Sequence, residues 1–205
     1  MKPEDESMEI KILKAAEKLF VEQGLAKTTT GQIAKEAGCN QALVHYYYRT
    51  KDNLFEKVFE EKIRLMATNL LGANSTGGTF EEKITRMIEI HFDFLMENAK
   101  LVPFVFNEFS SNPDRVRLLF DRLKQYPNSI FTQIENSLRE EVGKGTLRPV
   151  SGVDFLFTVV SLNVAPFLMK PIFQKVLNTS DEDYQEFLKH RKRETIDTVL
   201  ARLRK

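Results

Sequence analysis

The chain of 205 residues has a single cysteine, Cys39, and therefore no disulfide framework. Its apolar runs all fall short of the ~20 residues that span a bilayer. The longest, around Phe155 to Met169, is broken by Asp154, Asn163 and Pro166. The first residues, Met1 to Glu9, are acidic and lack the basic start and apolar stretch of a signal peptide, so a reducing cytoplasm is the expected location, with no membrane partner. A net charge of +1 excludes any global attraction to polyanions, so contact with nucleic acid would have to come from a local patch. Gly77-Gly78 has no following Lys-Ser/Thr, so it is not a phosphate-binding loop. The histidines His45, His91 and His190 are scattered and no cluster has metal-ligand spacing, so neither a metal nor a cofactor is expected. Cys39 lacks an activating neighbour and reads as a small turn residue. Without a nucleophile, base and orienter set, the chain does not read as an enzyme.

What the sequence does have is helical periodicity on a globular composition, 42% hydrophobic and 29% charged. Met8, Ile12, Ala15, Ala16, Leu19 and Phe20 recur at three- and four-residue spacing and Gly24 ends that helix. Two short helices follow, Thr30 to Glu36 and Gln41 to Tyr47. Lys51 to Leu71 is a long amphipathic helix with Leu54, Phe55, Val58, Phe59, Leu65 and Met66 on its apolar side. Gly72 to Gly78 reads as a linker, and Thr79-Phe-Glu-Glu82 as a capping box opening a helix to about Asn98. Lys100 to Ser110 is a further helix, and another runs from Pro113 to about Glu141 with a kink expected at Pro127. Ser151 to Leu177 is apolar on nearly every face and should be buried, with a bend near Pro166. Ser180 to Asp183 caps the last helix. With no internal repeat and no strand, the fold is all-α. Its expected divisions are residues 1–50, a connecting helix 51–72 and a helical domain 73–205.

The informative stretch lies between Thr28 and Phe55. Thr29 and Gln32 form a capping box, and Ile33, Ala34 and Ala37 present a small-residue packing face. Gly38 supplies a left-handed turn, Asn40 caps the next helix and Val44 packs inward. Two short helices so joined make a helix-turn-helix, whose second helix enters a major groove. The pattern Thr-Thr-x-x-x-Ile-Ala-x-x-Ala-Gly, an aromatic-rich helix and x-x-Lys-x-x-Leu-Phe, over about Ile10 to Val58, resembles the N-terminal signature of the TetR family of regulators. That resemblance implies a DNA-binding transcription regulator, by family habit a repressor, that binds a palindromic double-stranded operator as a homodimer and responds to a small-molecule effector. Departures from the pattern are Cys39, Asn40 and Tyr48, where an aliphatic residue, a serine and a phenylalanine are usual, Gly31, where a longer polar side chain often reaches DNA, and His45, where a tyrosine is common.

Carrying the family's roles over by position, the resemblance places Gln41, Ala42, Leu43 and His45 on the reading face, where glutamine can pair bidentately with adenine and Ala42 or Leu43 can touch a thymine methyl. By the same resemblance Thr30, Tyr47 and Lys51 match the family's phosphate-contact positions. Tyr46 and Tyr48 are expected to be at least partly buried. Lys27, Lys35, Arg49 and Lys51 against Glu36 alone make a modest positive patch. The run Lys189-His-Arg-Lys-Arg193 is expected to be only a solvated helix face.

In the second domain seven of the sixteen phenylalanines, Phe92, Phe94, Phe104, Phe106, Phe109, Phe120 and Phe131, crowd into forty residues. Apolar and aromatic walls with few polar anchors characterise ligand cavities. The expected cavity lies among the helices from Thr79 to Glu141, closed by Ser151 to Met169, with Phe104, Phe106, Phe120 and Phe155 as walls and His91 or Asn163 as anchors for a largely apolar ligand. Ser151 to Leu177, with Leu188, Ile196, Val199 and Leu203 of the last helix, is expected to form a four-helix dimer interface. Tilting of the connecting helix would alter the spacing of the two recognition helices, which must match one DNA turn, ~34–36 Å. The rival reading from another class is a helical protein-binding adaptor whose helix-turn-helix only packs.

Overall fold

A computed structural model describes residues 7–75, 77–114, 117 and 130–205. Among them the chain forms nine helices and no strand: α1 (Met8–Gln23), α2 (Thr30–Ala37), α3 (Gln41–Tyr48), α4 (Lys51–Ser75), α5 (Phe80–Glu97), α6 (Leu101–Ser111), α7 (Ile130–Gly143), α8 (Gly152–Leu177) and α9 (Asp181–Leu203). One isolated antiparallel bridge joins Leu147 to Arg204. Most boundaries follow from capping chemistry, in which a side-chain oxygen satisfies a free amide of the first turn. Ser7, Thr29, Asn40, Thr79, Ser151 and Ser180 each do this, and Thr29, Thr79 and Ser180 close full capping boxes with Gln32, Glu82 and Asp183. α4 continues to Ser75, so the first four residues of the expected linker are helical. The expected kink at Pro127 lies outside the described residues.

The chain packs as two units, Met1–Leu65 with Phe104–Leu119 and Met66–Pro103 with Phe120–Lys205. This division cuts α4 after Leu65 and α6 before Phe104, so it differs from a partition at residues 50 and 72. The first unit's core is Ile12, Ala16 and Phe20 of α1, Ile33 and Ala34 of α2, Val44 and Tyr48 of α3, and Leu54, Phe55 and Val58 of α4. The Phe104 ring stacks on Phe20 and meets Phe55 edge-on, and Phe59 and Phe109 form a second edge-to-face pair. Leu65, expected on the apolar side of α4, is half exposed (51%).

In the second unit α5, α8 and α9 pack together around two apolar clusters. One gathers Ile84, Met87 and Ile88 of α5, Phe155 and Val159 of α8, and Val199 and Leu203 of α9. The other gathers Phe92 and Leu95, Phe167, and Tyr184 and Leu188 of the same helices. Arg204 to Glu81 and Lys192 to Asp93, at 2.8 and 2.7 Å, hold α9 antiparallel to α5.

α8 is unbroken through Pro166 and Pro171 and is long and apolar enough to cross a membrane by length and composition alone. Phe155, Val159, Asn163 and Phe167, on its inner face, are buried within the unit, which makes it a core helix. Within one protomer its burial is one-sided, with Val153, Phe157, Val160, Met169, Ile172 and Val176 exposed. Leu188, Val199 and Leu203, expected at a dimer interface, lie instead inside the unit's own core at 1–2% exposure. Lys189 and Lys192 of the basic run are ion-paired with Glu186 and Asp93.

Candidate nucleic-acid interface

Three consecutive threonines build the base of the helix-turn-helix, each in a different way. Thr28 is fully buried, and its hydroxyl donates to the Gly24 carbonyl at 2.8 Å, tying off the end of α1. Thr29 caps α2, its oxygen accepting from the Gln32 amide while Gln32 Oε1 accepts from the Thr29 N–H. Thr30 begins α2, and its Oγ1 accepts from Gln41 Nε2 at 2.8 Å. Gly38 lies at φ 71°, ψ 34°, a left-handed conformation that costs a side-chain-bearing residue ~1 kcal/mol or more.

α3 is anchored from behind. Val44 is buried, and the Tyr48 hydroxyl donates to the Glu9 carbonyl at 3.1 Å. Burial pushes the Tyr48 phenol up to about 12, so it stays protonated as that donor requires. Arg49 has φ 62° and ψ −55°, and the Thr50 N–H donates back to the Tyr48 carbonyl at 2.7 Å. This is the strained, positive-φ kind of γ-turn, and it directs the chain from α3 into α4 within two residues.

Of the expected reading residues, Gln41, Ala42 and His45 share the exposed side of α3. Leu43 does not, because it is half-buried against the first unit's core. Tyr46 overturns its expected burial: it is 78% exposed, on the far side of the helix from Val44. Tyr47 is partly exposed with its ring between those of Tyr46 and Tyr48. Lys51 donates to the Leu25 carbonyl at 2.8 Å, so its ammonium clamps the turn after α1, and an ammonium has three N–H donors, so this bond leaves hydrogens for a phosphate. Glu36 pairs with Lys18 at 2.6 Å, which neutralises the one acidic side chain between Gly24 and Lys51 and leaves the local field positive.

The expected effector residues separate. His91 and Asn163 come together: Asn163 Nδ2 donates to His91 Nδ1 at 3.1 Å and lies 3.3 Å from the Ile88 carbonyl. Burial lowers the His91 imidazole to about 4, so the ring is neutral and its accepting nitrogen is unprotonated. Asn163 Oδ1 and Thr195 Oγ1 are buried with no hydrogen-bond partner among the described residues. The two α5–α9 ion pairs set Thr195 level with this stretch of α5. These polar groups sit between the two apolar clusters of the second unit. Phe155 is buried two turns before Asn163 on α8. Phe104 belongs to the first unit's core and Phe106 is 56% exposed, so neither is a wall of that region. Phe120 lies outside the described residues. The crowding of phenylalanines in sequence therefore does not mark one cavity. Thr28 and Thr195 were missed because a threonine in a helical or turn pattern carries no signal of burial.

The family model "Bacterial regulatory proteins, tetR family" matches residues 12–58, and "Tetracyclin repressor-like, C-terminal domain" matches residues 81–199. The chain belongs to the TetR family. As a TetR-family protein it is a DNA-binding transcriptional regulator, a non-enzymatic function, and the family typically acts as dimers on operator DNA. It is 27% identical over 138 residues to the HTH-type transcriptional regulator BetI of Brucella anthropi, covering 65% of this chain and 71% of that one. In structure it is similar to the fatty acid degradation regulator FadR from Bacillus halodurans, with a TM-score of 0.68, 16% identity and coverage of 95% and 97%. A TetR-family transcriptional regulator from Haemophilus influenzae RD has a TM-score of 0.66 at 17% identity, covering 97% of each chain. At those identities the structural likeness concerns the fold.

Proposed function

We propose that this TetR-family regulator is a cytoplasmic homodimeric repressor that binds a palindromic operator and is released by a small, largely apolar effector. The observation that carries the DNA-reading assignment is the joint exposure of Gln41, Ala42 and His45 on a helix capped and anchored from behind. Phosphate contacts are assigned to Thr30, Tyr47 and Lys51, the last also supporting the turn after α1. Selecting bound duplexes from a random pool tests this directly. An inverted repeat with half-sites one helical turn apart is the expected product, and a lack of salt-dependent binding to duplex DNA would leave the helix-turn-helix as a mere packing module.

Self-association is supported by the row Val153, Phe157, Val160, Met169, Ile172 and Val176 on α8, too large an apolar face to remain in water on a single protomer. Half-buried Ile196 and Leu200 of α9 are the remaining last-helix candidates for the interface. For the effector, His91 and Asn163 are the polar anchors and Phe155 a wall. A neutral imidazole among apolar clusters disfavours a charged head, so the ligand class is an apolar body with an uncharged hydrogen-bonding group. Coupling to DNA requires that the effector bind the DNA-incompetent arrangement more tightly, by ~1–3 kcal/mol in typical cases. Thermal shift followed by operator release, using fatty alcohols and amides as probes, tests this. Binding without release would reject the switch.

A further inference from the structure

The side chains of α3 form a chain of hydrogen bonds whose direction can be worked out. His45 Nδ1 lies 3.0 Å from the Arg49 carbonyl, which only accepts, so Nδ1 must carry the proton. In the neutral ring Nε2 is then an acceptor, and it faces Gln41 Nε2 at a long 3.5 Å. Only an amide nitrogen suits that lone pair, which settles the orientation of the Gln41 amide. A glutamine amide has two N–H donors. One goes to Thr30 Oγ1 at 2.8 Å and the other is directed to His45, so both are committed within the protein. Gln41 Oε1 is left as the acceptor on this exposed side chain. It lies over Gly31, 3.8 Å from where a Cβ would stand, in space that a longer side chain at 31 would contest.

We propose that His45 is a positioning residue that holds the Gln41 amide so that Gln41 reads a base-edge amino donor through Oε1 alone. Bidentate pairing with adenine needs both an acceptor for the N6 amino group and a donor for N7. With both amide hydrogens committed, the N7 contact is lost and adenine loses its advantage over cytosine, whose N4 amino group offers the same donor. Thr30 takes part on both sides, since its oxygen accepts from Gln41 while its own hydrogen stays available for a phosphate. His45 itself makes no base contact in this scheme, and the strained turn at Arg49 matters to reading because its carbonyl sets the imidazole tautomer.

The experiment is selection from a randomised duplex pool, followed by competition binding, with the full-length wild type, His45→Leu and His45→Gln. The wild type is expected to accept adenine or cytosine within about threefold at one position of each half-site and to reject guanine and thymine there. His45→Leu frees one amide hydrogen, so adenine should become preferred over cytosine by about tenfold, the scale of one bidentate contact. His45→Gln keeps an acceptor for Gln41 and a donor for the carbonyl, and should restore the wild-type tolerance. A wild type that already selects adenine alone would overturn the proposal. So would a His45→Leu protein that loses affinity for every site equally, because His45 would then only support the helix end. If His45→Leu fails to fold by circular dichroism, Thr30→Val decides in its place. It frees the other amide hydrogen and should raise the preference for adenine in the same way, and an unchanged base profile would refute the scheme.

Discussion

Acid should destabilise this protein through His91 in a way that one substitution can isolate. The imidazole titrates at about 4 when folded, against 6.5 as the ordinary value, because burial penalises its charged form. Between those values the unfolded chain binds a proton that the native state refuses, so stability falls as the pH drops from about 6.5 towards 4 and levels off below. Each pH unit in that window is worth about 1.4 kcal/mol, which gives about 3 kcal/mol at full depth and about 2 kcal/mol by pH 4.5. Carboxylates titrate in the same range, so wild type must be compared with His91→Gln, whose amide oxygen can still accept from Asn163 and which does not titrate. The assay is urea unfolding at fixed protein concentration and ionic strength, at pH 7 and pH 4.5. The loss of stability on acidification should be about 2 kcal/mol larger in the wild type than in His91→Gln. Parallel losses in the two proteins would refute the reasoning, since His91 would then gain its proton as readily folded as unfolded.

Other expected outcomes concern the interface and its supports. Gln41→Ala should weaken operator binding by ~1–2 kcal/mol and relax preference at a single base pair per half-site, as measured by competition binding. Tyr47→Phe should weaken all duplexes alike with an unchanged melting temperature, whereas Lys51→Ala should also lower that temperature, because its ammonium holds the Leu25 carbonyl. Phe157→Glu with Met169→Glu should produce monomers in sedimentation with unchanged helicity, since both side chains are exposed on the protomer. Charges at Val199 and Leu203 should instead unfold the second unit, whose core they occupy.

Local chemistry made much of this molecule legible in advance. Caps, periodic apolar positions and the left-handed glycine act within a few residues of one another, so Thr29, Gly38, Asn40, Thr79 and Ser180 could be assigned their structural tasks from sequence. The family signature reads the same way, because the helix-turn-helix is one short continuous segment. Tertiary structure decided what depends on partners far along the chain. Phe104 packs with Phe20 and Phe55, Lys51 with the Leu25 carbonyl, and Asn163 with His91, over separations that no periodicity encodes. The same holds for which side of an apolar helix stays exposed. α8 is apolar all round, so its sequence cannot tell the side facing α5 and α9 from the row led by Phe157, and only packing makes that choice.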